Sequence, residues 1–356
     1  MYGIIQLLEV NAMDKRESLK LWLEKYAKET GYSGNLLLSH KGETIFENST
    51  GYADREEKIP LEMNSKFRFY SISKQFTAIA MMLLWEQGLV DLDAHPSRYL
   101  PYAKDLDSRV TIRNLLQHTS GLQEITTPAF SEVPGKPDFA EAVMELAKKP
   151  LDFEPNTGEN YRNTGFVIAS LIIEKLSGMP LHEYLQEKVF KPFGMETACC
   201  ELGDKPIEGM VTGYEKENGQ IVPGRYLNAP SFFGAGYVVG TVYDLQNFYR
   251  SVMEKRLLKP ETWDLIYTRS EVGQFGFGCI PFQWDGRLTY QNNGGHIGFR
   301  TIHRLLPEMD FDIILLSNSA WDDARTDVMN AVHKFYLGGA EADLFQPEMD
   351  KGFATK

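Results

Sequence analysis

Cysteine, cationic runs and long apolar runs are all scarce in this chain, and each shortage removes a class of protein. Three cysteines occur in 356 residues, two adjacent (Cys199, Cys200) and one distant (Cys279). An odd, sparse set without a CxxC pair argues against a disulfide framework and against a zinc site. Lys and Arg number 37 against 49 Asp and Glu, a net charge of −12. With no basic run to offset that balance, no nucleic-acid partner is expected. The longest apolar run, Ala78–Trp85, is too short to cross a bilayer, so no membrane span is expected. The first twelve residues lack a cationic n-region and carry Glu9, which makes a poor signal peptide. A cytoplasmic rather than exported chain follows from that reading. Met13-Asp14-Lys15-Arg16 makes a natural alternative start, so residues 1–12 read as a leader, non-native or disordered. A P-loop, a G-x-S-x-G elbow and a dinucleotide fingerprint are missing, and His182-Glu183 has no second histidine at metalloprotease spacing. Nothing calls for a metal or a cofactor.

What is present is enough for a large core. Apolar residues make up 43% of the chain and charged residues 24%, which excludes global disorder and suggests one large domain or two. Residues 14–30 carry apolar positions at helical spacing up to Gly31. Asn35–His40 and Glu43–Asn48 flank Lys41-Gly42 as a hairpin, and Lys66–Tyr70 reads as extended. From Ser71 to Gln87 the pattern is apolar nearly all round, the mark of a buried helix. Helical stretches follow at Thr111–His118, Phe139–Lys148, Gly165–Leu176 and Leu181–Val189. Strand-like runs then take over at 234–240, 274–282, 288–291, 299–305 and 311–317, before a closing helix at 323–336. The order predicts an α+β fold, an antiparallel sheet flanked by helices with a mainly helical insert. The sheet domain is expected to be discontinuous, 13–75 with 230–340. The insert is 76–229 and a tail is 341–356.

Three short clusters can carry chemistry. In Ser71-Ile72-Ser73-Lys74, a serine at the first turn of a helix sits among unpaired N–H groups at the positive end of the dipole. Lys74 lies one turn on along the same face, and burial would lower its pKa enough to accept a proton. A capping serine beside a solvated lysine fits the same four residues. Ninety positions on, Tyr161-Arg162-Asn163 offers a phenol that loses its proton more easily beside a cationic lysine, and an amide for a substrate or for Lys74. A loop tyrosine packed over a helix end fits equally. Asn292-Asn293-Gly294-Gly295 supplies glycines that let a ligand approach an edge strand, with the Gly295 N–H beside that of Ser71 as an oxyanion donor. Asn-Gly is also a strong hairpin-turn signal.

These clusters, in this order, resemble the serine β-lactamase and penicillin-binding-protein-like family, in particular its class C-like branch of hydrolases. The likeness runs from about Ser33 to Asn318. It includes Ser33-Gly34-Asn35, Gly51-Tyr52-Ala53-Asp54, the Leu115-to-Leu122 segment with His118-Thr119-Ser120-Gly121, Phe153-Glu154-Pro155, Phe193-Gly194-Met195-Glu196-Thr197, and Gly234-Ala235-Gly236 with Thr241 and Asp244-Leu245. The resemblance implies a β-lactamase/transpeptidase-like fold. It makes Ser71 the acylated nucleophile, Lys74 its activator and Tyr161 a proton shuttle. It places Asn163 on substrate or Lys74, and the N–H groups of Ser71 and Gly295 in an oxyanion hole. His118 reads as structural. The third cluster departs from the family, because Asn292 stands where a Lys or His is usual and cannot meet a substrate carboxylate. Arg162 or Arg300, with His296 nearby, could supply the missing charge; surface ion pairs are the plainer reading of both arginines.

The implied function is a serine hydrolase working through an acyl-enzyme. Its substrate, a small molecule or peptide, is an ester, a D-amino-acid amide or peptide, or a β-lactam-like carbonyl. The alternative is a weakly catalytic or inactive binding or sensing protein on the same scaffold.

Overall fold

The computed structural model describes residues 2–126, 136–321 and 323–338; the expected tail at 341–356 lies outside them. Helix α1 (Tyr2–Thr30) opens the chain, so the backbone shows no break at Met13. The hairpin β1 (Gly34–His40) and β2 (Glu43–Thr50) follows. Next come α2 (Ser73–Glu86), α3 (Ile112–Leu116), α4 (Phe139–Leu146), α5 (Thr164–Ser177), α6 (Leu181–Leu185), α7 (Val242–Met253) and α8 (Pro260–Ile266). The chain then returns to strands β3 (Ile280–Trp284), β4 (Arg287–His296), β5 (Phe299–Leu306) and β6 (Phe311–Ser317), and α9 (Asp323–Val332) follows. These six strands form one sheet in the order β3-β4-β5-β6-β1-β2, with antiparallel neighbours throughout.

β1 joins β6 residue for residue, Gly34 opposite Ser317 through His40 opposite Phe311. Both strands are apolar without alternation because both sheet faces are covered. Leu36 and Leu38 of β1, with Ile313 and Leu315 of β6, pack against Leu19 and Leu23 of α1 and Val328 and Val332 of α9. Leu37, Ile314 and Leu316 point the other way, into a larger core shared with α2, α5 and α7. The period of two sorts one apolar run into two cores.

Several family-like segments prove to be scaffolding. Thr111 and Asn114 form a capping box on α3, and Thr241 and Asp244 form another on α7. Asp244 also accepts from Thr197 N at 3.0 Å, fastening the Phe193–Thr197 segment to α7.

The strand-like runs at 234–240 and 274–282 need correction. The run 234–240 is a strand only over Val238–Gly240, and 274–279 consists of turns before β3. Asn293-Gly294 lies inside β4 rather than at a hairpin turn; the chain reverses at Ile297-Gly298, where Gly298 takes φ +78°. The span read as a helical insert also holds a hairpin, Tyr214–Glu217 with Gln220–Pro223.

Among the described residues no single helix is long and apolar enough to cross a membrane.

Candidate active site

Ser71 is delivered by a tightly held segment. Phe67–Arg68 pairs with Val238–Gly240, and the Arg68 guanidinium grips Glu201 with two hydrogen bonds of 2.7 and 2.6 Å. Tyr70 takes a left-handed backbone, φ +46°, a strained conformation for a bulky residue. Its hydroxyl donates to Ile297 O at 2.9 Å, which holds it there. Ser71 then sits in a 3-10 turn, Tyr70–Ile72, that runs into α2. The sheet supports this turn from below. Thr301 Oγ1 donates to Phe69 O at 3.1 Å, and a Cβ on Gly294 would lie 2.0 Å from that same carbonyl. Glycine at 294 is therefore required for β4 to reach the Ser71 segment.

Ser71 does not cap the helix, and Lys74 is not solvated. Lys74 is 2% exposed. Its Nζ lies 3.1 Å from Ser71 Oγ, 2.8 Å from Asn163 Oδ1 and 2.9 Å from Ala235 O. The Tyr161 hydroxyl donates to Ser71 Oγ at 2.6 Å. Burial lowers the Lys74 pKa from 10.5 to about 7, against a smaller upward pull from Glu124. Burial raises the Tyr161 pKa, opposed by its hydrogen bond to Ser71. This corrects the expectation of an easily ionised phenol: desolvation outweighs the hydrogen bond to Ser71, and Tyr161 rests protonated. The polar geometry serves either charge state of the lysine. Nζ faces three acceptors, Ser71 Oγ, Asn163 Oδ1 and Ala235 O, which satisfy an ammonium; in the neutral amine two N–H groups serve Asn163 and Ala235 and the lone pair is left for the Ser71 proton, while Tyr161 donates to the same oxygen.

The loop that brings in Tyr161 and Asn163 rests on His118, which is buried and left-handed at φ +60°. Its Nδ1 accepts from Arg162 N at 3.2 Å and its carbonyl accepts from Asn160 N at 3.0 Å. Its ring packs 4.5 Å from Tyr161 and 4.6 Å from Phe275. Burial, then the nearby Lys74, holds His118 well below the usual histidine range. Glu124 accepts from Asn163 N with both oxygens, at 3.2 and 3.0 Å. Glu124, Phe275 and Gly278 escaped the sequence reading as site residues, and Ala235 stood there only as part of a family-like segment without a role. An isolated glutamate in a polar loop gives no periodic or motif signal, and a backbone carbonyl gives none at all.

The third cluster forms one wall. β3 pairs with β4 only as far as Gln291, so Asn292–His296 has β5 on one side and no β3 partner on the other. Asn292 is 5% exposed, and its Nδ2 donates to Gly278 O. A Cβ on Gly278 (φ +70°) would lie 2.9 Å from Lys74 O, so this turn packs directly on α2. Asn293 lies on the cleft wall, and Gly295 pairs with Arg300. Arg162 reaches Asp152 at 3.0 Å. Arg300 folds back to the carbonyls of His296 and Phe299, both at 2.9 Å. His296 packs against Tyr70 and Phe232. The structure thus brings together Ser71, Lys74, Tyr161, Asn163, Asn292 and Asn293, with Arg162 engaged by Asp152.

The cleft over Ser71 has about 10 Å³ of free space, room for one water. A larger cavity, about 650 Å³, lies elsewhere, beside the end of α5, Pro180, Phe233 and Tyr237. The chemistry-bearing groups line the smaller one.

An antiparallel sheet with a helical insert, and a serine held between a buried lysine and a tyrosine at their junction, define a β-lactamase-type serine-hydrolase scaffold. A profile of the Beta-lactamase family matches residues 22–334, and the chain belongs to that family. It is 28% identical to a penicillin-binding protein of Bacillus subtilis, over 95% of this chain and 79% of that protein. It is 26% identical to a D-aminopeptidase of Gluconobacter oxydans, over 78% of this chain and 54% of that protein. The solved penicillin binding protein from Bacillus halodurans superposes with a TM-score of 0.77 at 25% identity, covering 88% of this chain and 99% of that one. D-amino acid amidase from Ochrobactrum anthropi shares the fold, with a TM-score of 0.79 at 24% identity over 90% and 98% of the two chains.

Proposed function

We propose that this protein is a serine hydrolase that works through an acyl-enzyme on Ser71. The observation that carries this reading is the double engagement of Ser71 Oγ, by Tyr161 OH at 2.6 Å and Lys74 Nζ at 3.1 Å. Neutral Lys74 takes the Ser71 proton as Oγ attacks the substrate carbonyl. The N–H groups of Ser71 and Gly295 stabilise the oxyanion. Protonated Tyr161 hands its proton to the leaving group and is reprotonated from Lys74. Water, activated by the same pair, releases the acyl group.

The charge balance of the cleft narrows the substrate. Asn292 brings no cation, and the Arg162 guanidinium is committed to Asp152. Neutral esters and D-amino-acid amides fit this cleft better than free peptides and other donors that present a carboxylate. Relatives carry the names D-aminopeptidase and esterase.

Intact mass after a fluorophosphonate tests the reading. One adduct per chain is expected, absent in Ser71→Ala. No adduct with either a fluorophosphonate or penicillin would favour a binding protein on the same scaffold, the reading that Asn292 alone supports. Asn292→Lys is expected to raise kcat/KM for a carboxylate-bearing ester about tenfold relative to its neutral analogue, the worth of ~1.4 kcal/mol. An unchanged ratio rejects the charge argument.

A further inference from the structure

The side chain of Asn163 can face Lys74 with either end of its amide. Its two ends are nearly the same size, so shape alone does not choose between them. In this structure the carbonyl end accepts from Lys74 Nζ at 2.8 Å. Had the amide been reversed, an N–H would point at the lysine, repelling the ammonium or occupying the lone pair of the neutral amine. Asn163 must be held where this contact forms, and what holds it sits behind the loop.

Glu124 is partly buried, and its two carboxylate oxygens both accept from the Asn163 backbone N–H. That pair of bonds pins the Asn163 backbone, and with it the side chain whose carbonyl end meets Lys74. The segment carrying Glu124 is anchored independently: Ile125 N donates to Thr164 Oγ1 at 2.7 Å, and Thr164 Oγ1 donates to Gln123 O at 2.8 Å.

We infer that Glu124 is the positioning residue of this centre: through the Asn163 backbone N–H it holds Asn163 where its amide carbonyl meets Lys74, and it supplies the negative charge that balances the Lys74 ammonium when the proton from Ser71 arrives. Glu124 touches neither Ser71 nor Tyr161, and it acts through Asn163 and through its field. Around Lys74 the titratable groups are Tyr161 and His118, and Glu124 is the acid among them. Around Glu124 the cations are Lys74 and Arg162, with Lys149 reaching its backbone carbonyl at 3.5 Å. Burial raises the Glu124 pKa above the ordinary carboxylate value, opposed by the Asn163 backbone N–H and then by Lys74 and Arg162.

The inference rests on the acyl-transfer reading of Ser71, and two variants separate the two claims. Glu124→Gln keeps an acceptor oxygen and removes the charge. Its Lys74 is expected to titrate about one pH unit lower, since a nearby carboxylate stabilises the ammonium. The acid limb of kcat/KM should move by the same amount, with KM within threefold of wild type. Glu124→Leu removes charge and acceptor together, and kcat is expected to fall at least tenfold. Lys74 is titrated directly by NMR of its side-chain nitrogen in a Ser71→Ala background, where no turnover is needed. A Lys74 midpoint unchanged in Glu124→Gln overturns the inference, whatever the activity of either variant. If wild type takes no acyl label yet the midpoint moves, the acyl-transfer reading fails while Glu124 keeps its hold on Lys74.

Discussion

At the scale of single residues, Lys74 carries the most consequence. Unfolded, it titrates near 10.5; folded, near 7. Between those values the unfolded chain binds more protons, so stability rises with pH across the window from about 7 to about 10. Lys74→Met should abolish acylation of Ser71. It should also stabilise the protein at pH 7 by about 1–2 kcal/mol, because a strained functional site is exchanged for packing. Chemical denaturation at pH 7 and pH 9.5 checks this: wild type gains stability between the two, and the gain is absent in the variant. A wild type less stable at pH 9.5, with the variant flat, contradicts it. On the proposed mechanism, in which the amine form accepts the Ser71 proton, the same midpoint is expected to set the acid limb of kcat/KM near pH 7.

At the scale of elements, the decisive feature is the short strand before Ser71. Arg68 and Glu201 are a mostly buried, two-pronged pair, their side chains 18% and 13% exposed. Removing one partner leaves the other charge stranded in the interior. Glu201→Ala is expected to cost about 3 kcal/mol and to loosen the Tyr70–Ser71 turn. Labelling of Ser71 should slow more than the loss of folded protein explains. Glu201→Ala with wild-type melting and labelling rates would show that the strand is held by other contacts. Element type was largely legible in the chain. Helices such as 73–86 and 164–177 announce themselves by apolar content between breakers, and the β1–β2 turn by Lys41-Gly42. Less legible was the fate of Asn293-Gly294. Local turn chemistry favours a reversal there, but pairing with Gly294 opposite Thr301 and Asn293 opposite Ile302 wins. A backbone ladder of that length is worth more than one turn preference.

For the whole molecule, the sheet closes by joining strands from opposite ends of the chain, β1 against β6. Neither strand has a place without the other, because each feeds both cores. A chain ending at Leu306 lacks β6 and α9 and is expected to show no cooperative thermal transition by circular dichroism. A sharp melt from that truncated chain would mean that the helical part folds by itself. Contacts between residues some 280 positions apart also predict slow folding, since the loop must close before the pair forms.

Composition and local pattern, read alone, determined the mixture of helices and strands and the burial of the helix after Ser71; the roles of Ser71, Lys74 and Tyr161 are what the family resemblance implies. The first two properties are set by neighbours within a few positions, so the linear chain holds them. Only the tertiary structure decided that Tyr161 rests protonated, that Asn292 is tied to the Gly278 carbonyl, and that Glu124 stands behind Asn163. Each of these depends on desolvation and on partners distant along the chain, and burial is a property of the packed molecule, not of any segment of it.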